Sequence, residues 1–221
     1  MQQRDRDTTE TRRHARQPVI VVTIERLEHN HERAAIELLG SLRVSLFGVA
    51  TTRLHAALAR DAASGAIDGR AALNGAEVCG LVLAAPSSYW RSALLTHWPL
   101  ALECAAARLT RHNGVRTSVA PSRAPLLRVR GLPSRTWAEP REAWRIIIVG
   151  TAEHVRGRGV AARLYRHLMA DRSLVARIAV DNTPSIRLHE SLGWRIYPDG
   201  PLLLAVHDRS ALGYSADAAA G

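Results

Sequence analysis

The run Arg156-Gly157-Arg158-Gly159-Val160-Ala161 follows the apolar stretch Ile146 to Val149 by a few residues and opens onto a helical pattern, Ala162 to Leu168. A strand feeding a glycine loop that opens a helix suits a phosphate cradle. Glycine lets the backbone approach an anion closely, and loop amides join the first unpaired N–H groups of the helix in facing it. Each favourable charge placement contributes roughly 0.3–1 kcal/mol. The implied ligand is a phosphorylated cofactor.

Spacing narrows the choice of cofactor. A Walker loop ends in Gly-Lys-Ser/Thr, and this chain contains no lysine. A dinucleotide fingerprint takes a third small residue three positions past Gly159, where Ala162 stands, and an acidic residue about 20 positions on. Asp181 lies 22 residues after Gly159, so the loop by itself leaves that reading open.

The C-terminal third adds a second motif. Arg156-x-x-Gly159-x-Ala161 resembles the Arg/Gln-x-x-Gly-x-Gly/Ala signature of the GNAT superfamily of acyl-CoA-dependent N-acyltransferases. The stretch Asn182 to Trp194 resembles that family's Asn-x-x-Ala-x-x-Leu-Tyr-x-x-Leu-Gly-Phe, with Ser185, Leu188, His189, Leu192, Gly193 and Trp194 at the motif positions. The resemblance is sharp over residues 144–207 and only organisational before them. It implies an α/β (α+β) fold with a mixed, mostly antiparallel central sheet, splayed fourth and fifth strands and flanking helices. The implied activity is transfer of an acetyl group from acetyl-CoA, or of another acyl group from its acyl-CoA, to an amine.

Site residues carry over by the same resemblance. The backbone of Ile148, Val149, Gly150 and Thr151 would hold the pantetheine arm, and Arg156, Gly157, Arg158, Gly159, Val160 and Ala161 the pyrophosphate. Asn182 precedes Pro184 and suits a helix N-cap, to which the family adds contact with the cofactor arm. Ser185 replaces the usual alanine and is small enough for close approach. His189 stands where most relatives have a tyrosine that donates a proton toward the departing thiolate. Against a thiol pKa near 8.5, a histidine of about 6.5 also offers an N–H there, giving it a catalytic or cofactor-orienting role.

Arg145 to Val149 contains no carboxylate, where some relatives place a general base, and Glu153 with His154 reads as a solvated pair at the loop entrance. The acceptor follows from this. Neutralising a lysine-like amine at pH 7 costs about 3.4 pK units, some 4.6 kcal/mol, whereas an α-amine near 7.8 costs about 1 kcal/mol. The expected acceptor is a small-molecule amine of low basicity, of the α-amine or amino-sugar type.

Composition sets the outer bounds. The 221 residues suit one large domain over 18–212, with a tail at 1–17 too polar to fill a core and a frayed end at 213–221. That tail lacks the apolar segment of a signal peptide, and no run approaches the roughly 20 apolar residues of a membrane span, so a cytoplasmic protein is expected. Cys79 and Cys104 lie in apolar runs without neighbours at ligand spacing, and read as buried hydrophobes with no metal and no disulfide. The formal charge of +10 comes wholly from arginine. Its field would attract anions, but few aromatic patterns suited to base stacking accompany it, which argues against nucleic acid as the primary ligand.

The elements that must position the motifs are legible to different degrees. Strands are expected at Pro18 to Ile24, at Ile67 to Leu73 and Ala76 to Ala85 around Asn74-Gly75, at Trp144 to Thr151, at Leu174 to Val180, and as a closing hairpin from Trp194 to His207. Helices are expected from about Asn30 with a stop at Gly40, at Thr52 to Ala63, from Ser88 with a kink or split at Pro99, from Val160 to Asp171, and from Pro184 to Leu192 with Gly193 at C′. The apolar stretch Trp90 to Leu109 is read as sheet packing or a homodimer seam. As a tunnel for a fatty tail, it would instead fit a longer-chain acyltransferase using acyl-CoA or acyl carrier protein. Residues 113–143 form a Pro- and Arg-rich connection, with a short strand at Leu126 to Val129, whose charge suits an anionic acceptor or the cofactor's outer phosphates. The missing tyrosine and base also leave room for a noncatalytic acyl-CoA- or nucleic-acid-binding module.

Overall fold

Alternating and continuous apolar runs in this chain pair into one mixed sheet in the computed structural model, which describes residues 21–42, 52–97, 99, 102, 140 and 142–209. The expected tail, the start of the first strand, Cys104, the strand at Leu126 to Val129, nearly all of the 113–143 connection and the C-terminal end lie outside the described residues. The sheet order is β1 (Thr23–Arg26), β2 (Asp68–Asn74), β3 (Glu77–Pro86), β4 (Trp144–Thr151), β5 (Leu174–Ala179), β7 (Leu202–His207) and β6 (Arg195–Asp199). Neighbours are antiparallel except β4 and β5, which run parallel. The hairpin at Asn74-Gly75 forms as its turn chemistry dictates, with Gly75 at φ +62°.

Two apolar layers cover the sheet. On one face α1 (Glu32–Ser41) and α2 (Thr52–Ser64) bury Leu38, Leu39, Leu54 and Leu58 against Leu81 and Leu83 of β3. On the other, α4 (Val160–Met169) and α5 (Thr183–Ser191) cover Val82, Ala84 and Leu174. The side chains of α4 explain its orientation: Val160, Leu164, Tyr165 and Leu168 fall on one buried stripe, while Arg163, Arg166 and His167 are exposed. α3 (Tyr89–Thr96) ends three residues ahead of Pro99, consistent with the expected split, because a proline disfavours helical backbone before it.

Gly40 does not stop the first helix. It sits exposed within the last turn of α1, and the cap falls on Leu42, whose N–H bonds to Leu38 O at 3.0 Å. The anchor is tertiary: Leu42 packs over Gly150 of β4, where a Cβ would run into its Cδ1. That contact outweighs the cost of about 1 kcal/mol for glycine inside a helix.

Gly80 of β3 has a related role at the start of α4. It pairs with Thr151, and a Cβ there would stand 3.1 Å from Val160 Cγ1 and 3.3 Å from Thr151 Cγ2. Gly80→Val is therefore expected to lift the first turn of α4 from the sheet, at a cost of about 1–3 kcal/mol. Thermal melts should show a fall of roughly 2–4 °C per kcal/mol. An unchanged Tm would mean that the sheet and helix are not in contact there.

Candidate functional site

The gap begins where β4 stops pairing with β5. Only Trp144 with Leu174 and Arg145 with Val175 are in register, and from Ile146 onward β4 has no rung on that side. Its cause lies in β4 itself: Leu83 pairs Ile148 while Ala84 pairs Ile146, so Ile147 is an extra residue, a β-bulge that bends the strand. Side chains record the slip. Trp144 and Ile146 pack on the α4 face, Ile147 and Ile148 both turn to the α1 face, and Val149 returns to the α4 face.

Backbone direction slips with it. Trp144 N–H donates to Ser173 O, on the β5 side, whereas Ala152 N–H donates to Cys79 O, on the β3 side. Alternation with one inserted residue then leaves the N–H and C=O groups of Val149 and Thr151 facing the gap, and turns those of Ile148 and Gly150 to β3. Of the four β4 residues singled out in sequence, Val149 and Thr151 turn their backbone groups to the gap, and Ile148 and Gly150 do not. Gly150 instead makes room for Leu42.

Beyond β4 a 3-10 turn, Glu153–Val155, anchors the loop through Val155, which is buried. Gly157 and Gly159 both adopt φ +74°, and Gly159 is the N-cap of α4. Among the described residues, no atom beyond the immediate chain neighbours lies within 4 Å of a Cβ built on either. These are glycines because the left-handed backbone demands them, and the space above them is open. The first hydrogen bond of α4 is Arg163 N–H to Gly159 O at 3.0 Å, so the amides of Val160, Ala161 and Ala162 precede any partner within the helix. With exposed Arg156 and Arg158 alongside, the residues fit a pyrophosphate. Arg163 braces the helix from behind by donating to Val22 O. His154 Nε2 lies 3.6 Å from Glu77 Oε1, both side chains well exposed, and Glu153 is exposed too.

Across the gap, Asn182 caps α5, its side chain accepting Ser185 N–H at 3.2 Å. The closing turn places Gly193 at φ +77°. His189 is 1% exposed, edge-on to the rings of Tyr165 (centroids 5.0 Å apart) and Trp194 (4.7 Å). Its Nδ1 lies 2.7 Å from Ser185 O, which only accepts, so Nδ1 carries the hydrogen. Nε2 is left a buried acceptor with no partner among the described residues. Desolvation lowers its pKa, against a smaller opposing effect of the Ser185 bond. Sequence reasoning found this residue through its motif position; nothing in the sequence revealed that its one N–H is already used.

Burial also lowers the pKa of His207. Both imidazoles take up protons more readily unfolded, from about pH 6.5 downward, so the stabilisation they carry is complete above that pH and lost as pH falls. Melts between pH 8 and pH 5 are expected to show a falling Tm on the acid side, with a shallower slope in His189→Phe. Equal slopes would show the ring to be freely protonated in the fold.

Residues 129–194 match the model of the acetyltransferase (GNAT) family. No curated protein matches the sequence. Among solved structures, AAC(6')-Iy in complex with the bisubstrate analogue CoA-S-monomethyl-acetylneamine superposes with a TM-score of 0.54 at 11% identity, covering 81% of this chain and 95% of that one. An N-acetyltransferase from Staphylococcus aureus Mu50 gives 0.51 at 14% identity, covering 84% and 96%. Arabidopsis thaliana NAA60, solved with acetyl-CoA, gives 0.48 at 15% identity, covering 85% and 99%. The parted β4–β5 pair and the glycine loop lie in a fold shared with AAC(6')-Iy and the Staphylococcus aureus N-acetyltransferase. By the match over residues 129–194, the chain is similar to the acetyltransferase (GNAT) family.

Proposed function

We propose that the chain moves an acetyl group from acetyl-CoA to a small-molecule primary amine of low basicity, of the α-amine or amino-sugar type, by direct attack, and that it works in the cytoplasm. The observation that carries the reading is the two-rung junction of β4 and β5, which leaves Val149 and Thr151 backbone groups facing a gap that leads to the first-turn amides at 160–162, which have no partner within the helix. When bound, acyl-CoA supplies an activated thioester carbonyl. Val149 and Thr151 hold its arm, the amides of Gly157 and of Gly159 to Ala162 its pyrophosphate, and Asn182 with Ser185 border the arm from α5.

β4 reads Trp-Arg-Ile-Ile-Ile-Val-Gly-Thr, with no side chain able to take a proton from a strongly basic amine, and Glu153 and His154 stand in solvent. An amine that is already largely neutral near pH 7 needs no such help. His189 acts here as an orienting group. Its buried Nε2 suits a hydrogen donor brought by the ligand, an amide N–H or a thiol S–H. The buried thiol of Cys79, whose pKa burial raises, suits a reducing compartment.

Free-thiol release from acetyl-CoA with a pooled amine library, run from pH 6 to pH 9, tests the reading. Turnover is expected with α-amines and amino sugars ahead of lysine-type amines, with kcat/KM levelling near the acceptor's own pKa. Release only with lysine-type amines, or only from long-chain acyl-CoA, would overturn it.

A further inference from the structure

At the closed end of the gap a polar cluster crosses the α4 face of the sheet. Arg172, in the turn before β5, stacks on Trp144 with its guanidinium carbon 4.1 Å from the ring centroid, and its Nη2 lies 2.9 Å from Asp68 Oδ2. Asp68 opens β2 and is 8% exposed. Arg70 approaches the same carboxylate, its Nη2 donating to Oδ2 at 3.4 Å and its Nε 3.0 Å from Oδ1, the latter out of line for a hydrogen bond. Strand alternation places Asp68 and Arg70 on the face of Ala72, the layer in which Trp144 packs. In register between Asp68 and Ile146 stands Ala84, whose methyl group leaves an arginine room to reach over β3. The same turn is tied on its other flank to the end of β7. Arg209 donates from Nη1 to Asp171 O at 2.8 Å and from its N–H to Ser173 Oγ at 3.0 Å, and Ser173 Oγ donates to Asp208 Oδ1 at 3.3 Å.

We propose that Arg172 is a positioning residue for the cofactor, a brace from β5 across Trp144 of β4 to Asp68 of β2 that sets the angle at which β4 and β5 part. The proposal rests on the cofactor lying in the gap, as argued above. Its force comes from leverage. Two rungs make a weak hinge, and Thr151 lies seven residues beyond Trp144, about 23 Å at 3.3 Å per residue. A pivot of about 5° at the root then moves the far end of β4 by about 2 Å. Misplacement of about 1 Å is enough to cost on the order of a hundredfold in a positioned reaction. Arginine suits the task, because its planar fork stacks on an indole and pairs with a carboxylate at once. Removing Arg172 leaves Arg70 beside Asp68, so no buried carboxylate is stranded and the fold is expected to persist.

The test compares parent, Arg172→Met, Arg172→Lys and Asp68→Asn by CoA calorimetry, with hydrogen exchange of the unliganded chains. Arg172→Met is expected to weaken CoA at least tenfold and to speed exchange at the Trp144 amide, with Lys recovering part of the affinity and Asp68→Asn repeating the loss in milder form. A parent that binds no CoA refutes the functional reading itself. A parent that binds, with Arg172→Met and Asp68→Asn binding equally well whatever their Tm, refutes the brace and makes the cluster purely structural. Should Arg172→Met fail to fold, Asp68→Asn decides alone.

Discussion

Gly159→Val is expected to abolish detectable CoA binding by calorimetry while the far-UV circular dichroism remains that of the parent. Two effects act together. The residue is the N-cap of α4 at φ +74°, where a side chain costs roughly 1–2 kcal/mol and a β-branched one more. Beyond its chain neighbours the built Cβ meets no atom of the described residues within 4 Å, so the added isopropyl group projects into the space the pyrophosphate is proposed to occupy. Gly159→Ala separates the two, since it carries most of the backbone strain with little of the bulk. A small loss of Tm in both variants, with CoA lost fully only in valine, is the expected pattern. Unchanged CoA affinity in Gly159→Val would remove the loop from the binding site.

What the sequence could show depended on how local the determinant was. The boundaries of β4, the turn at Asn74-Gly75, the cap at Asn182 and the glycine after α5 are written in neighbouring residues, and they fall within a residue or so of their expected places. Gly40 misled because its context is tertiary, a leucine two residues on that needs the space above Gly150. The bulge at Ile147 is hidden in three consecutive isoleucines, a run that gives no alternation to betray a slipped register. That slip decides which β4 amides face the gap, and it turns the backbone groups of Ile148 and Gly150 to β3 while those of Val149 and Thr151 face the gap. The cluster of Asp68, Trp144 and Arg172 joins three residues from separate parts of the chain, Asp68 and Arg172 more than a hundred positions apart, and leaves no spacing to read.

His189→Phe should lower kcat about tenfold while the acceptor's KM stays near the parent value, with stability unchanged or slightly raised. Phenylalanine keeps a ring between Tyr165 and Trp194 and deletes the orphaned Nε2, whose burial without a partner costs on the order of 1–3 kcal/mol in the free protein. One lost hydrogen bond to the ligand, about 1–1.5 kcal/mol, corresponds to the tenfold change. His189→Ala is the poorer probe, because the cavity costs several kcal/mol by itself. The pH profile tells orientation from acid catalysis. An imidazolium donating to the thiolate would make kcat fall as pH rises through the histidine range, whereas a neutral ring whose N–H is held by Ser185 O gives no such fall. A kcat that declines between pH 6 and pH 8 in the parent and is flat in His189→Phe would make His189 the acid. A phenylalanine variant with full kcat would leave the ring with no part beyond packing α5 against α4.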